Sequence, residues 1–248
     1  MNKASCHTLL KRYLHTTTQR CKHVVPSNLK GKGSSSTKWV TRQLKDPYVE
    51  KAKILNYRCR SAFKLLEIDD SQHILTPGHV VVDCGAAPGS WTQVAVQRVN
   101  ADLSTPHKPI GVVIAVDKQQ IHPIPGAVVF GNCDLLSKAT QDKVQNALHG
   151  KQADAVISDM APSATGVKEM DDENILTLCY TVLRFAVLVS KIDGSLLMKM
   201  WQSGFTSKLQ KDMERFYDKV KIIKPNSSRS DSAEIFLLGK HFKGIKPS

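Results

Sequence analysis

Short apolar runs recur along the chain, and four of them are closed by an acid. Val80-Val81-Val82 stops at Asp83, Gly111 to Val116 at Asp117, Ala127 to Phe130 just before Asp134, and Ala153 to Ile157 just before Asp159. Runs of branched and small apolar residues bounded by turn residues predict buried strands. Three more follow at 195–201, 220–223 and 234–238. Between them the pattern turns helical, over about 39–68, 90–99, 137–148, 174–191 and 204–217, with 101–109 and 163–173 as polar loops and Asp193-Gly194 as a break. Strand alternating with helix predicts one doubly wound α/β domain. The last two strands are joined by a Ser/Arg loop, Pro225 to Ser232, with no room for a helix. They are expected as an antiparallel pair at the sheet edge.

The first strand runs into Asp83-Cys84-Gly85-Ala86-Ala87-Pro88-Gly89-Ser90-Trp91, and a helix is expected to begin at Ser90. A strand that stops at a glycine turn and feeds a helix is how α/β proteins build a site for a nucleotide-like ligand. Glycine lets backbone approach the ligand, and the helix start offers free N–H groups. The same turn can also be a tight connection and nothing more. Asp117 ends the next strand, where an acid is placed to accept both hydroxyls of a ribose, which points to an adenosine-containing ligand. The spacing is not G-x-G-x-x-G, so a dinucleotide fingerprint is not met and a nicotinamide oxidoreductase is disfavoured.

Charge divides the chain. Of the 35 Lys and Arg, ten fall in residues 1–45, which contain no Asp or Glu, leaving 25 basic against 22 acidic residues beyond them. An acid-free, Ser/Thr-rich arm with Leu9, Leu10, Tyr13 and Leu14 near Lys11-Arg12 reads as a mitochondrial transit peptide; the alternative is a basic arm that binds RNA electrostatically. Residues 31–37 (Gly-Lys-Gly-Ser-Ser-Ser-Thr) read as a flexible linker. The expected organisation is therefore a transit peptide and basic linker over 1–40, a catalytic domain over 41–240 and a short basic tail over 241–248. The six cysteines form no C-x-x-C and have no histidine at zinc spacing, so neither a structural metal nor a disulfide framework is expected. No apolar run approaches the roughly 18 residues of a membrane span.

Charged residues inside apolar elements are costly unless paired. Lys199 interrupts the fifth strand, Glu234 opens the seventh, and Lys64 sits in Ala62-Phe63-Lys64-Leu65-Leu66. Together with Asp159 they make two lysines and two acids that would satisfy one another, either as an ion-pair cluster or as a site. The segment before the first strand also carries Lys51, Lys53, Arg58 and Arg60 among Trp39, Tyr48 and Tyr57. Basic side chains beside aromatics suit an RNA backbone and unstacked bases, though a solvated helix face looks much the same.

Four ordered motifs carry a resemblance. Arg-Ser-Ala-Phe-Lys-Leu (60–65), Asp-Cys-Gly-Ala-Ala-Pro-Gly-Ser-Trp (83–91), Ser-Asp-Met-Ala-Pro (158–162) and Lys-Pro-x-x-Ser-Arg-x-x-Ser-x-Glu (224–234) look like the FtsJ/RrmJ family of ribosomal RNA 2′-O-ribose methyltransferases. The match runs from about Asp46 to Gly239. It implies a Rossmann-like S-adenosylmethionine-dependent methyltransferase fold, with a seven-stranded, mostly parallel sheet whose last strand is antiparallel. It implies S-adenosyl-L-methionine as methyl donor, held by Gly85, Ala86, Ala87, Pro88, Gly89, Ser90 and Trp91, with Asp117 at the ribose, Asp134 at the adenine and Asp159 near the methionine amino group. The family's Lys-Asp-Lys-Glu tetrad falls on Lys64, Asp159, Lys199 and Glu234, and a uridine in large-subunit rRNA is the implied target. With the arm, the implied partner is mitochondrial large-subunit rRNA or a pre-ribosomal particle in the matrix, met by a monomer.

Departures from the family pattern are modest: Cys84 stands for the usual Leu, Ser90 for the usual Gly, and Trp201-Gln202-Ser203-Gly204 for a Phe-Gln-Gly-Glu type sequence. A ribose 2′-hydroxyl is a poor nucleophile until its proton is taken. Neutral Lys199 is the expected general base, since burial and a second cation, Lys64, favour the uncharged amine. Asp159 and Glu234 are then expected to orient, and Lys64 to steer the hydroxyl and a nearby phosphate. The rival readings are a catalytically idle RNA-binding assembly factor on the same fold, and a tRNA or cap 2′-O-methyltransferase.

Overall fold

The structure, a computed structural model, describes residues 40–245. The expected transit segment and linker lie outside the described residues except for Val40. The chain divides between Glu50 and Lys51. In the shorter unit residues 40–44 are helical. There Asp46 accepts the Tyr48 N–H at 3.0 Å, an acidic cap just ahead of Pro47.

The helices are α1 (Pro47–Ile54), α2 (Ala62–Gln72), α3 (Ser90–Val99), α4 (Lys138–Ala147), α5 (Lys168–Val189) and α6 (Thr206–Glu214). The strands are β1 (Val80–Cys84), β2 (Val112–Val116), β3 (Ala127–Phe130), β4 (Ala153–Ser158), β5 (Ser190–Trp201), β6 (Tyr217–Ile223) and β7 (Glu234–Phe242). They form one seven-stranded sheet in the order 3-2-1-4-5-7-6. β1 to β5 pair in parallel, and β7 inserts antiparallel between β5 and β6. The late antiparallel pair at the edge is thus as expected. None of the described helices is long and apolar enough to cross a membrane.

Period-two alternation splits each central strand between two cores. Val80, Val82, Val156, Leu196 and Met198 pack on the α4–α5–α6 side, and Val81, Val113, Ile157, Leu197 and Phe236 under α2 and α3. Each buried side chain of this size contributes about 1.5–3 kcal/mol. A one-residue slip would exchange the two sets, so burial pins the register. The two faces matter for function because Ile157 near the end of β4 and Leu197 of β5 lie in the core that α2 covers.

Three boundaries differ from the sequence reading. α5 starts at Lys168, inside the expected loop, because Asp171 accepts the Thr165 N–H (2.7 Å), the Thr165 hydroxyl (2.8 Å) and the Gly166 N–H (3.3 Å) and closes the turn ahead of the helix. Asp193-Gly194 does not separate helix from strand: Ser190 already pairs with Ala153, and the register shifts before Ala155 meets Ser195. Tyr217 opens β6 rather than closing a helix, its ring buried against Phe242 at 5.5 Å between centroids.

Candidate active site

The alternation of β5 and β7 brings the interrupting charges to one place. Lys199 shares the parity of Leu197, and Glu234 that of Phe236, so both face α2. Asp159 follows β4 with the parity of Ile157, and Lys64 descends from α2 between Phe63 and Leu65. Lys64 Nζ lies 2.6 Å from Glu234 Oε2 and 3.9 Å from Asp159 Oδ1. Lys199 Nζ lies 3.0 Å from the same Asp159 oxygen and donates its hydrogen bond to the Asp159 main-chain carbonyl. The Ser228 hydroxyl donates to Glu234 Oε1 at 2.8 Å. Side-chain exposures of 10–17% make this a cluster shielded from bulk water, not a surface ion pair. Burial pushes the Glu234 carboxyl up, but Lys64, Lys199 and Ser228 outweigh it and hold the group below its ordinary range. Its charge therefore stabilises the fold above that range, and the contribution is lost as pH falls through the lowered value.

A cavity of about 390 Å³ lies outside the carboxyl ends of β1, β2 and β4, adjoining the cluster through Asp159. Gly85 and Ala86 both donate to the Val116 carbonyl, at 2.8 and 3.1 Å, folding the turn onto β2. Asp117 accepts the Ala87 N–H at 2.9 Å and the Gln119 N–H at 2.6 Å; Asp134 accepts the Leu136 N–H at 2.9 Å. Gly85 has φ +75°, and a Cβ there would sit 1.8 Å from Met160 Cγ. Gly85, Ala87, Asp117, Asp134 and Asp159 line the cavity, and its wall is completed by Lys118, Gln119, Met160, Asn174, Thr177 and Leu178. The last three escape a sequence reading because the helix expected over 174–191 carries nothing to indicate which face turns inward. Asp159 Oδ1 is buried and already faces the two lysine ammoniums, and three carboxylates on one rim suit a ligand that carries positive charge.

Five residues expected at the ligand are not among those that line this cavity. Ala86 and Gly89 are buried in the turn, and Pro88 is exposed on its outer side. Ser90 and Trp91 are core residues, each 2% exposed. Trp91 Nε1 donates to the Ser61 carbonyl at 2.9 Å, and its ring lies 5.7 Å from that of Phe236. Ser90 Oγ meets Ser61 Oγ at 2.8 Å and Cys59 Sγ at 3.0 Å. The first turn of α3 points into the interior, so these side chains anchor the segment that leads into α2, and with it Lys64.

The family description FtsJ-like methyltransferase matches residues 57–242, which hold both the cluster and the cavity. The chain belongs to the FtsJ-like methyltransferase family. It is 52% identical, over 97% of its length and 96% of the relative's, to the Drosophila melanogaster protein named rRNA methyltransferase 2, mitochondrial. It is 42% identical, over 91% of its length and 94% of the relative's, to the ribosomal RNA large subunit methyltransferase E of Ruegeria sp. strain TM1040. The crystal structure of a protein described as a ribosomal RNA methyltransferase of Plasmodium falciparum superposes with a TM-score of 0.67 at 27% identity, covering 76% of this chain and all of that one.

Beneath the site of this methyltransferase lies Asp83, 1% exposed at the end of β1. One carboxylate oxygen accepts the Thr92 hydroxyl at 2.7 Å, and the other accepts no hydrogen bond among the described residues. Burial first, then the nearby Asp159 and Asp117, push its carboxyl up to about 7 despite Thr92. Between the ordinary carboxylate range and about 7, the folded protein keeps a proton that the unfolded chain has lost. The stability contributed by this group therefore falls as pH rises through that window and levels off above it. Asp83→Asn fixes the neutral form, so its Tm relative to wild type is expected to rise from pH 4 to pH 7, corresponding to roughly 2–4 kcal/mol at most, and then stay level. A Tm difference that is flat with pH would show that Asp83 is ionised throughout.

Proposed function

We propose that this methyltransferase uses S-adenosylmethionine to methylate the ribose 2′-hydroxyl of a uridine in mitochondrial large-subunit rRNA, free or within a pre-ribosomal particle, in support of ribosome assembly. The observation that carries the reading is the junction of the Lys64–Asp159–Lys199–Glu234 cluster with an acid-rimmed cavity through Asp159. The residues fit the donor: the acid rim of Asp117, Asp134 and Asp159 suits its sulfonium and ammonium charges, Asp117 suits its ribose, and Asp134 suits its adenine. When bound, the donor supplies an electrophilic methyl group.

The chain supplies positioning and proton handling. As it stands the cluster is balanced, with two ammoniums against two carboxylates. Lys64 is held by Glu234 at 2.6 Å, and Glu234 by Ser228, so this pair keeps its charge and orients the acceptor ribose and phosphate. Lys199, once neutral, accepts the 2′-hydroxyl proton, and Asp159 steadies the ammonium that results.

Comparing ribose methylation of mitochondrial large-subunit rRNA with and without the protein, by primer extension at low nucleotide concentration, is expected to show one uridine losing its 2′-O-methyl group. Restoration of ribosome assembly by a Lys199 variant without restored methylation would instead favour the assembly-factor reading. Methylation lost from a tRNA or a cap, with the rRNA unchanged, would overturn the substrate assignment. The 1–40 arm is expected to carry a fluorescent fusion into mitochondria, and a purely cytosolic signal would refute that part.

A further inference from the structure

Arg58 stands in a basic run that suits RNA phosphates, yet its guanidinium is turned to the protein itself. It lies in the linker between α1 and α2. Nη1 donates to the Pro88 carbonyl at 2.8 Å and the His122 carbonyl at 2.9 Å, and Nη2 donates to the Pro123 carbonyl at 2.8 Å. Its main-chain N–H donates to Gln93 Oε1 at 2.9 Å, and Gln93 Nε2 donates back to the Asn56 carbonyl at 2.9 Å, fixing the linker on α3. A Cβ at Gly89 would sit 2.7 Å from Arg58 Nη1, so a side chain there would unseat the guanidinium.

The three carbonyls belong to two loops that each supply residues to the cavity wall: the glycine turn, with Gly85 and Ala87, and the connection from β2 to β3, with Lys118 and Gln119. At the cavity end these loops are already joined by Asp117, which accepts the Ala87 N–H. We infer that Arg58 is a positioning residue for the methyl donor, a second tie that sets the separation between the glycine turn and the 118–124 loop. The inference rests on the reading of this cavity as the donor site. A planar fork with five N–H groups can bridge three carbonyls at once; a lysine ammonium on a flexible stem is a point donor and cannot match that geometry. With three of those N–H groups engaged, Arg58 has little left for a phosphate.

The test uses the full chain and its Arg58→Met and Arg58→Lys variants, titrated with S-adenosylmethionine and with S-adenosylhomocysteine. Loss of a charge-assisted hydrogen bond is typically felt as about tenfold to hundredfold in an equilibrium constant. Arg58→Met is therefore expected to weaken both ligands by about tenfold to hundredfold, with Arg58→Lys in between. In turnover the donor KM should rise more than kcat falls. In ligand-free protein, hydrogen exchange at residues 85–89 and 118–124 should speed up in Arg58→Met while the β4 and β5 amides stay protected. Binding to a large-subunit rRNA transcript should keep its salt dependence.

Three results would overturn the inference. Unchanged donor affinity with a salt slope shallower by about 0.7–0.9 would make Arg58 a phosphate contact. A lowered Tm with unchanged donor affinity would make it a structural tie only. Failure of the wild-type chain itself to bind either ligand would remove the donor-site assignment, and is distinguishable because it precedes any substitution.

Discussion

Replacing Lys199 by alanine is expected to lower 2′-O-methyl transfer by about 10²–10⁴-fold, the range typical for removal of a positioned general base, while S-adenosylmethionine binds within a few-fold of wild type. The split follows from geometry. Lys199 Nζ belongs to the ion cluster and donates to the Asp159 carbonyl, and Lys199 is not among the residues, Gly85, Ala87, Asp117 and Asp134 included, that line the cavity. Lys199→Arg is the sharper variant. It keeps the positive charge beside Asp159, but a guanidinium does not give up its proton near neutral pH, so it should be nearly as inactive as alanine. Arginine activity within about tenfold of wild type would mean that Lys199 supplies charge and not a proton acceptor. Because Lys64 still faces Asp159 at 3.9 Å, the alanine variant does not strand the carboxylate without a cation. Tm should therefore fall far less than activity does.

Gly85→Ala is expected to abolish donor binding by a different route. The added Cβ would lie 1.8 Å from Met160 Cγ and 2.9 Å from its Sδ, and the backbone sits at φ +75°, where an L residue is strained by roughly 1–2 kcal/mol. Met160 also lines the cavity, so displacing it costs both the wall and the turn. The expectation is at least about a hundredfold loss of S-adenosylmethionine affinity, roughly 3 kcal/mol, with a lower Tm. The Gly85→Ala/Met160→Ala double variant separates the two causes. Measured against Met160→Ala alone, it should retain only the backbone strain, about a tenfold deficit for that energy. A double variant no better than the sum of its parts would show that the clash with Met160 is not the cause.

Arg58 and Lys64 show how far local reading reaches. They stand six residues apart, both basic, both near aromatics. Lys64 is legible because its neighbours Phe63 and Leu65 are apolar, and a charge among core residues demands a partner. Arg58 has no such signal. What distinguishes it is three carbonyls at Pro88, His122 and Pro123, and a carbonyl looks the same in every residue type. Trp91 and Ser90 are the converse case, expected at the ligand and packed with their side chains in the interior. The turn-to-helix motif that contains them is legible, but which side of the first helical turn faces a ligand depends on where α2 and its linker pack.

Taken alone, the sequence determined the strand and helix alternation, the edge pair, the glycine turn and the identity of the four charged residues. Each of these follows from periodicity or from the cost of burying a charge, and both are properties of a short stretch. Tertiary structure alone decided that Lys64 meets Glu234 across 170 positions of sequence, that Met160 caps Gly85, and that α5 supplies Asn174 and Thr177 to the cavity wall. It also turned Trp91 inward and Arg58 onto the loops. The physical reason is that such contacts are set by sheet order and helix packing, which bring together side chains whose local patterns carry no mark of their partner.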